Sequence, residues 1–182
     1  MDYRDYQNAR DMTWRILLDM NVTRLPVMVG QLCRELGVVV KYEDGDGDGR
    51  SVMVDGKPVI MLSRRCTAER QRFTCAHELG HVLLGHVGKY RLVNREPSPG
   101  DNPIEKAANV FASRLLAPAC VLWGCGVRMP EEIAALCRIS YQAARFRAER
   151  MELLYRRGKF LTSPMERELY ERFLPFILEY RS

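Results

Sequence analysis

Histidine is scarce in this chain. Its three copies among 182 residues all fall between positions 77 and 86, so an imidazole-based site can exist in one place only. The six cysteines, at 33, 66, 75, 120, 125 and 137, form no C-x-x-C pair and sit mostly in apolar or helix-like segments. That spacing argues against a thiolate zinc site or a disulfide framework and predicts reduced thiols in the core. No apolar run approaches the ~18 residues of a membrane span, and the opening MDYRDYQNARDMTW is charged, without the apolar stretch of a secretory leader. These absences predict a cytoplasmic protein with no membrane partner. Internal repeats and low-complexity tracts are also missing, which excludes solenoids and long linkers. What remains is a chain with 47% hydrophobic residues, enough to bury a sizeable core as one compact domain with or without an appendage.

The net charge of +5 is concentrated. Between Arg138 and Lys159 seven basic residues face only Glu149 and Glu152, and the rest of the chain is near neutral. Such a stretch fits an acidic protein surface or nucleic acid, and it equally describes a solvated helix face.

Apolar spacing predicts a helix over Tyr6 to Met20, and a second from Pro26 to Gly37, with proline at N1 and glycine at C′. Gly37 to Tyr42, Ser51 to Val54 and Pro58 to Leu62 read as strands, the last two joined by Asp55-Gly56-Lys57, and together predict a small antiparallel sheet. The first connection carries Asp44-Gly45-Asp46-Gly47-Asp48-Gly49, which matches the start of an EF-hand loop. Strands flank it where an EF-hand needs helices, so a flexible Gly-Asp hairpin tip is the expectation. Thr67 is placed to cap a helix through Phe73, Ala76, Leu79, Leu83 and Leu84, with Glu69 in its first turn. Another helix runs from Pro103 to about Leu116, where Pro118 ends it. Shorter helical pieces follow to Ser182.

Within the third helix, His77-Glu78-Leu79-Gly80-His81 spells H-E-x-x-H. Residues four apart share a helix face, so the two imidazoles can converge on one zinc ion at ~2.0–2.1 Å. Glu78, one position round, lies close without ligating, suited to take a proton from water activated by the metal and pass it to a leaving amine. A catalytic zinc takes a third protein ligand. His86 is five residues beyond His81, about 500° round a continuing helix, so it does not share that face and reads as a helix C-terminal imidazole near the site. Glu105 fits better, four residues before Asn109, which could hydrogen-bond a ligand histidine. Asn102-Pro103-Ile104-Glu105 also reads as an N-cap, N1 proline and capping-box glutamate. The buried stripe Ile104, Ala108, Phe111 and Leu115, bordered by Glu105 and Asn109, favours the ligand. Glu96 and Asp101 are weaker substitutes on the preceding loop.

Three blocks, RQRFTCAHELGHVLLGH, IEKAANVFASRLLAP and IAALCRISYQAARFR, together resemble the ImmA/IrrE family of bacterial metallopeptidases over about Gly37 to Arg147. The resemblance implies a zinc-dependent endopeptidase with His77, His81 and Glu105 on the metal and Glu78 as general base. It also implies a helix-turn-helix repressor as substrate, as on phages, integrative elements and in stress responses. The third block itself looks like a helix-turn-helix, with Ser140 capping a helix that carries Arg145 and Arg147. Direct DNA binding is therefore the rival reading, disfavoured by the absence of a turn glycine and of an obvious dimer device.

The expectation is an α+β, zincin-like metallopeptidase. Residues 1–120 would form the core, with a small antiparallel sheet beside the H-E-x-x-H helix, and residues 121–182 a helical extension. One Zn2+ per chain would be held by His77, His81 and Glu105, with Glu78 catalytic, Asn109 supporting, and Arg145 and Arg147 docking a protein substrate. A metal-holding regulator that does not cleave, or that binds DNA, is the alternative.

Overall fold

The computed structural model of the chain describes residues 3–87 and 102–182. Among these the order is α1 (Tyr3–Asp19), α2 (Val29–Glu35), β1 (Val39–Glu43), β2 (Gly49–Val54), β3 (Lys57–Ser63), α3 (Ala68–Leu83) and α4 (Pro103–Leu116), then α5 (Ala119–Cys125), α6 (Pro130–Cys137), α7 (Tyr141–Arg157) and α8 (Pro164–Arg181). This is an α+β chain. It separates into two compact units, Met1–Asp11 with Met28–Ala112 and Met12–Val27 with Ser113–Ser182. Two of the three divisions fall inside α1 and α4 and the third lies between α1 and α2.

In the first unit the three-stranded sheet has the order β1-β3-β2. The β2–β3 hairpin is antiparallel and turns on Asp55 and Gly56, both at positive φ, the pairing a two-residue type I′ turn requires. β1 instead lies parallel to β3, with Val39 opposite Val59 and Glu43 opposite Ser63. The expected antiparallel sheet is therefore corrected to a mixed one. The cause is competition for burial: β3 buries Val59, Ile60, Leu62 and Ser63 and takes the centre, while the more exposed β1 and β2 become edges. Residues 44–48 then cross from one edge to the other, a span of about 10 Å that five residues cover easily.

The Gly-Asp run is this crossing, which corrects the expected hairpin tip, because β1 and β2 are not neighbours. Asp44 lies 3.6 Å from Arg64 and Asp46 3.7 Å from Arg65, while Asp48 pairs with Arg70 of α3. The aspartates point at separate arginines, not at a common ion. α2 begins at Val29, three residues beyond the expected Pro26, and ends as expected at Gly37, whose φ is +70°.

α3 starts where its sequence says, with the Thr67 hydroxyl accepting from Arg70 N–H at 3.3 Å. It packs on β2, β3 and α2. A Cβ at Gly49, the first residue of β2, would stand 2.6 Å from the Met61 carbonyl oxygen and 2.8 Å from Thr74 Cγ2, so the sheet approaches α3 through bare backbone there. Nearby, the Cys33 and Cys75 sulfurs meet at 3.7 Å. All six cysteines are free thiols, and all but Cys66 are buried.

The second unit is helical among its described residues, with α5 packed on α8 and α6 on α7. Arg24 reaches Glu179 at 3.1 Å and Arg172 reaches Asn21 at 2.6 Å, tying the 12–27 segment to α8. α6 ends at Arg138 in the left-handed region, and Ser140 caps α7 by accepting from Ala143 N–H at 3.3 Å. Ala144, Arg147 and Met151 form the buried stripe of α7. By length and composition the stretch Pro103–Cys125 could pass for a membrane span, yet 72% of its apolar window is buried inside the protein.

Candidate metal centre

His77 and His81 stand one turn apart in the C-terminal half of α3. Their Nε2 atoms face each other at 3.0 Å. Asn102 opens α4 by accepting from Ile104 N–H at 3.0 Å, and Glu105 on its first turn aims its carboxylate at the same point. Oε2 lies 3.1 Å from His77 Nε2 and Oε1 3.3 Å from His81 Nε2. Four tetrahedral ligands at ~2.0–2.1 Å from zinc are about 3.3 Å from one another. Three donors already near that spacing, drawn from two helices and including one carboxylate, fit the ligand set zinc would take. Among the described residues this is the group of ligand-type side chains close enough to share an ion.

The helices can approach this closely because Gly80 lies between the two histidines. A Cβ there would meet Phe111 of α4 at 3.0–3.2 Å, tighter than ordinary packing, and Phe111 is fully buried.

His77, then His81, hold the Glu105 carboxyl well below the usual carboxylate range against the opposing effect of burial. Glu105 is thus an anion at neutral pH, as a metal ligand must be. The far nitrogen of each imidazole has a polar neighbour: Asn109 Oδ1 is 3.0 Å from His77 Nδ1, and His86 Nδ1 is 3.0 Å from His81 Nδ1. Burial, with His81 next in effect, pushes the His86 imidazole pKa down. Glu78 is only 4% exposed and accepts a hydrogen bond from the Ser51 hydroxyl at 2.8 Å.

The structure thus brings His77, His81, Glu105, Glu78 and Asn109 to one place. The two arginines of α7 differ in exposure. Arg145 is exposed and 3.8 Å from Glu149. Arg147 is 3% exposed, and its Nε donates to the Ala117 carbonyl at 2.7 Å. Its expected docking role is corrected: it stands three residues after Ala144 and four before Met151, on the face α7 buries. Glu96 and Asp101 lie outside the described residues. His86 lies beside His81, as its reading as a helix C-terminal imidazole near the site expected, whereas Ser51 was missed. Ser51 gives no local signal, since its approach to Glu78 depends on strand order. The His86 contact with His81 had a local signal, because Leu84-Gly85 ends the helix and turns residue 86 back.

Two helix-borne histidines and a carboxylate from a second helix, with a buried glutamate next to the first histidine in sequence, make this an α+β protein with a group that could hold a metal ion. The chain belongs to peptidase family M78: the profile of the IrrE N-terminal-like domain matches residues 33–149. A solved structure of a Mycobacterium tuberculosis transcriptional regulator shares the fold, with a TM-score of 0.50 at 14% identity, over 91% of this chain and 50% of that one. The chain therefore spans half the length of that structure. No curated protein sequence matches it.

Proposed function

We propose that this protein is a zinc-dependent endopeptidase with a zincin-like core, acting in the cytoplasm on a helix-turn-helix repressor. The observation that carries the catalytic part is the 3.0–3.3 Å triangle of His77, His81 and Glu105 donors. Zinc, when bound, supplies Lewis acidity toward the scissile carbonyl and the attacking water. His77 and His81 give Nε2 lone pairs and Glu105 the anionic oxygen. Asn109 accepts from His77 Nδ1–H and so fixes which nitrogen faces the centre. Glu78 takes a proton from the water onto its carboxylate and delivers it to the leaving amine as the C–N bond breaks, with Ser51 holding Oε2 and thereby orienting the group. Water is consumed, and a carboxylate and an amine are released.

The repressor substrate rests on the family resemblance. A second reading, a metal-holding regulator that binds DNA, is favoured by the α6–α7 pair with its Ser140 cap and by the fold shared with a transcriptional regulator. Burial of Arg147 removes one of the two cations that reading relied on.

The test has three arms. Purified protein should hold about one zinc per chain by elemental mass spectrometry, and His77→Ala and His81→Ala should each lose it. Glu78→Gln should keep the metal and stop cleavage of a repressor encoded beside this gene. Metal retained in both histidine variants would refute the centre. Wild-type cleavage by Glu78→Gln would refute its role, and sequence-selective DNA binding without cleavage would favour the second reading.

A further inference from the structure

We propose that His86 is a positioning residue that holds His81 in the ring orientation and tautomer needed for zinc, an inference that rests on the metal-centre reading. The backbone accounts for its arrival. α3 ends in paired hydrogen bonds, Gly85 N–H to the Val82 carbonyl at 3.2 Å and His86 N–H to the His81 carbonyl at 2.9 Å. Gly85 sits at φ +71°, the left-handed conformation such a termination requires. This turn folds residue 86 back over the turn that carries residue 81. The two rings consequently meet at a centroid distance of 5.2 Å and an interplanar angle of 65°, with their Nδ1 atoms 3.0 Å apart.

The chemistry follows from the other side of the ring. His81 turns Nε2 toward His77 and Glu105, and a metal there takes the Nε2 lone pair. The His81 proton must then reside on Nδ1. His86 Nδ1 stands where that proton points, so it accepts, and His86 carries its own proton on Nε2. His77 has the equivalent arrangement with Asn109 Oδ1. The two histidines are thus restrained by different acceptors, one an amide oxygen on α4 and the other an imidazole nitrogen supplied by the end of α3. Removing a partner of this kind typically weakens metal binding by roughly 10–100-fold.

The experiment uses the full chain and zinc alone. Zinc affinity is measured by competition with a chromophoric chelator for wild type, His86→Leu and His86→Asn, with thermal unfolding of each metal-free form. Leucine fills space without an acceptor, whereas the asparagine Oδ1 can take the place of imidazole Nδ1. Expected is a loss of about 10–100-fold for His86→Leu and recovery of most of it in His86→Asn. Metal-free melting temperatures should not follow that order. Nitrogen NMR of the zinc form should show His86 protonated on Nε2. Wild-type affinity in His86→Leu would overturn the proposal, leaving His86 a packing residue. Equal losses in both variants would overturn the acceptor account, and His86→Asn keeps the test open if the leucine variant misfolds. If wild type binds no zinc while folded, the centre itself fails and this inference with it. That outcome is distinct from wild type binding and His86→Leu binding equally well.

Discussion

Gly80→Ala tests whether α4 is held against α3 by a missing side chain. Two effects oppose each other. Alanine in a helix interior is favoured over glycine by about 1 kcal/mol. Against this, its Cβ would meet Phe111 Cδ1 at 3.0 Å and Phe111 Cβ and Cγ at 3.2 Å, where carbon pairs prefer about 3.5–4.0 Å. Phe111 is fully buried, so relief must come from α4 moving by roughly half an ångström, at a cost of about 1–3 kcal/mol. Metal-free stability should therefore change by about 2 kcal/mol or less. The zinc site should suffer more, because the same displacement carries Glu105 away from donors now 3.1 and 3.3 Å from it. We expect zinc affinity to fall at least tenfold, about 1.4 kcal/mol, in a chelator competition. Combining Gly80→Ala with Phe111→Ala removes the Cδ1 and Cγ contacts and should restore part of the affinity while lowering metal-free stability through the cavity left behind. If Gly80→Ala alone gains about 1 kcal/mol in denaturant unfolding and binds zinc as wild type does, helix spacing does not set the site and the reasoning is wrong.

Glu105→Gln should lose most zinc affinity while metal-free stability at pH 7 changes by only ~1 kcal/mol; the reverse pattern would pass the ligand role to Glu96 or Asp101. Because the folded state holds the Glu105 carboxyl low, its stabilisation is complete above the unfolded value of about 4.3 and fades as pH falls through the folded value, so metal-free wild type should lose stability in acid faster than Glu105→Gln. Ser51→Ala should keep zinc and substrate affinity but lower kcat, with Ser51→Thr recovering part of it; an unchanged kcat would dismiss Ser51 as an orienting group. Arg147→Ala should destabilise the fold by about 2 kcal/mol or more in chemical denaturation, because the buried Ala117 carbonyl loses a charged donor. Arg145→Ala, at an exposed ion pair, should stay within about 0.5 kcal/mol, and equal effects of the two would contradict the burial assigned to α7.

The parts of the site readable from sequence were those whose geometry is local. The Thr67 cap and 3.6-residue spacing fixed α3 to within a residue, and the same logic put Glu105 and Asn109 on one face of α4. The β2–β3 hairpin was equally local, because Asp55-Gly56 suits only a tight turn. Strand order was not local. Whether β1 pairs with β2 or β3 depends on which strand is buried most, a comparison made only when all three are present, and Ser51 reached Glu78 through that arrangement. The arginines of α7 show the same limit. Charge predicts exposure on average, but Arg147 occupies the stripe shared with Ala144 and Met151, and its guanidinium serves a carbonyl at a helix end. For His86 the rotational argument held, since it is not among the side chains close enough to share the ion, but the contact with His81 depends on Gly85 stopping the helix.

Gly49 contributes no side-chain atom to any contact, yet a map of tolerated substitutions would rank it beside the ligands. Every other residue type places a carbon 2.6 Å from the Met61 carbonyl oxygen, within a strand, and 2.8 Å from Thr74, within the helix, so neither side can step aside cheaply. The strand displaced would be the one that carries Ser51, two positions on. Intolerance at this position would therefore be an effect of distance, transmitted along β2. A screen scoring only loss of activity would mistake it for chemistry, whereas one that also scored abundance would show a folded protein that had lost its alignment.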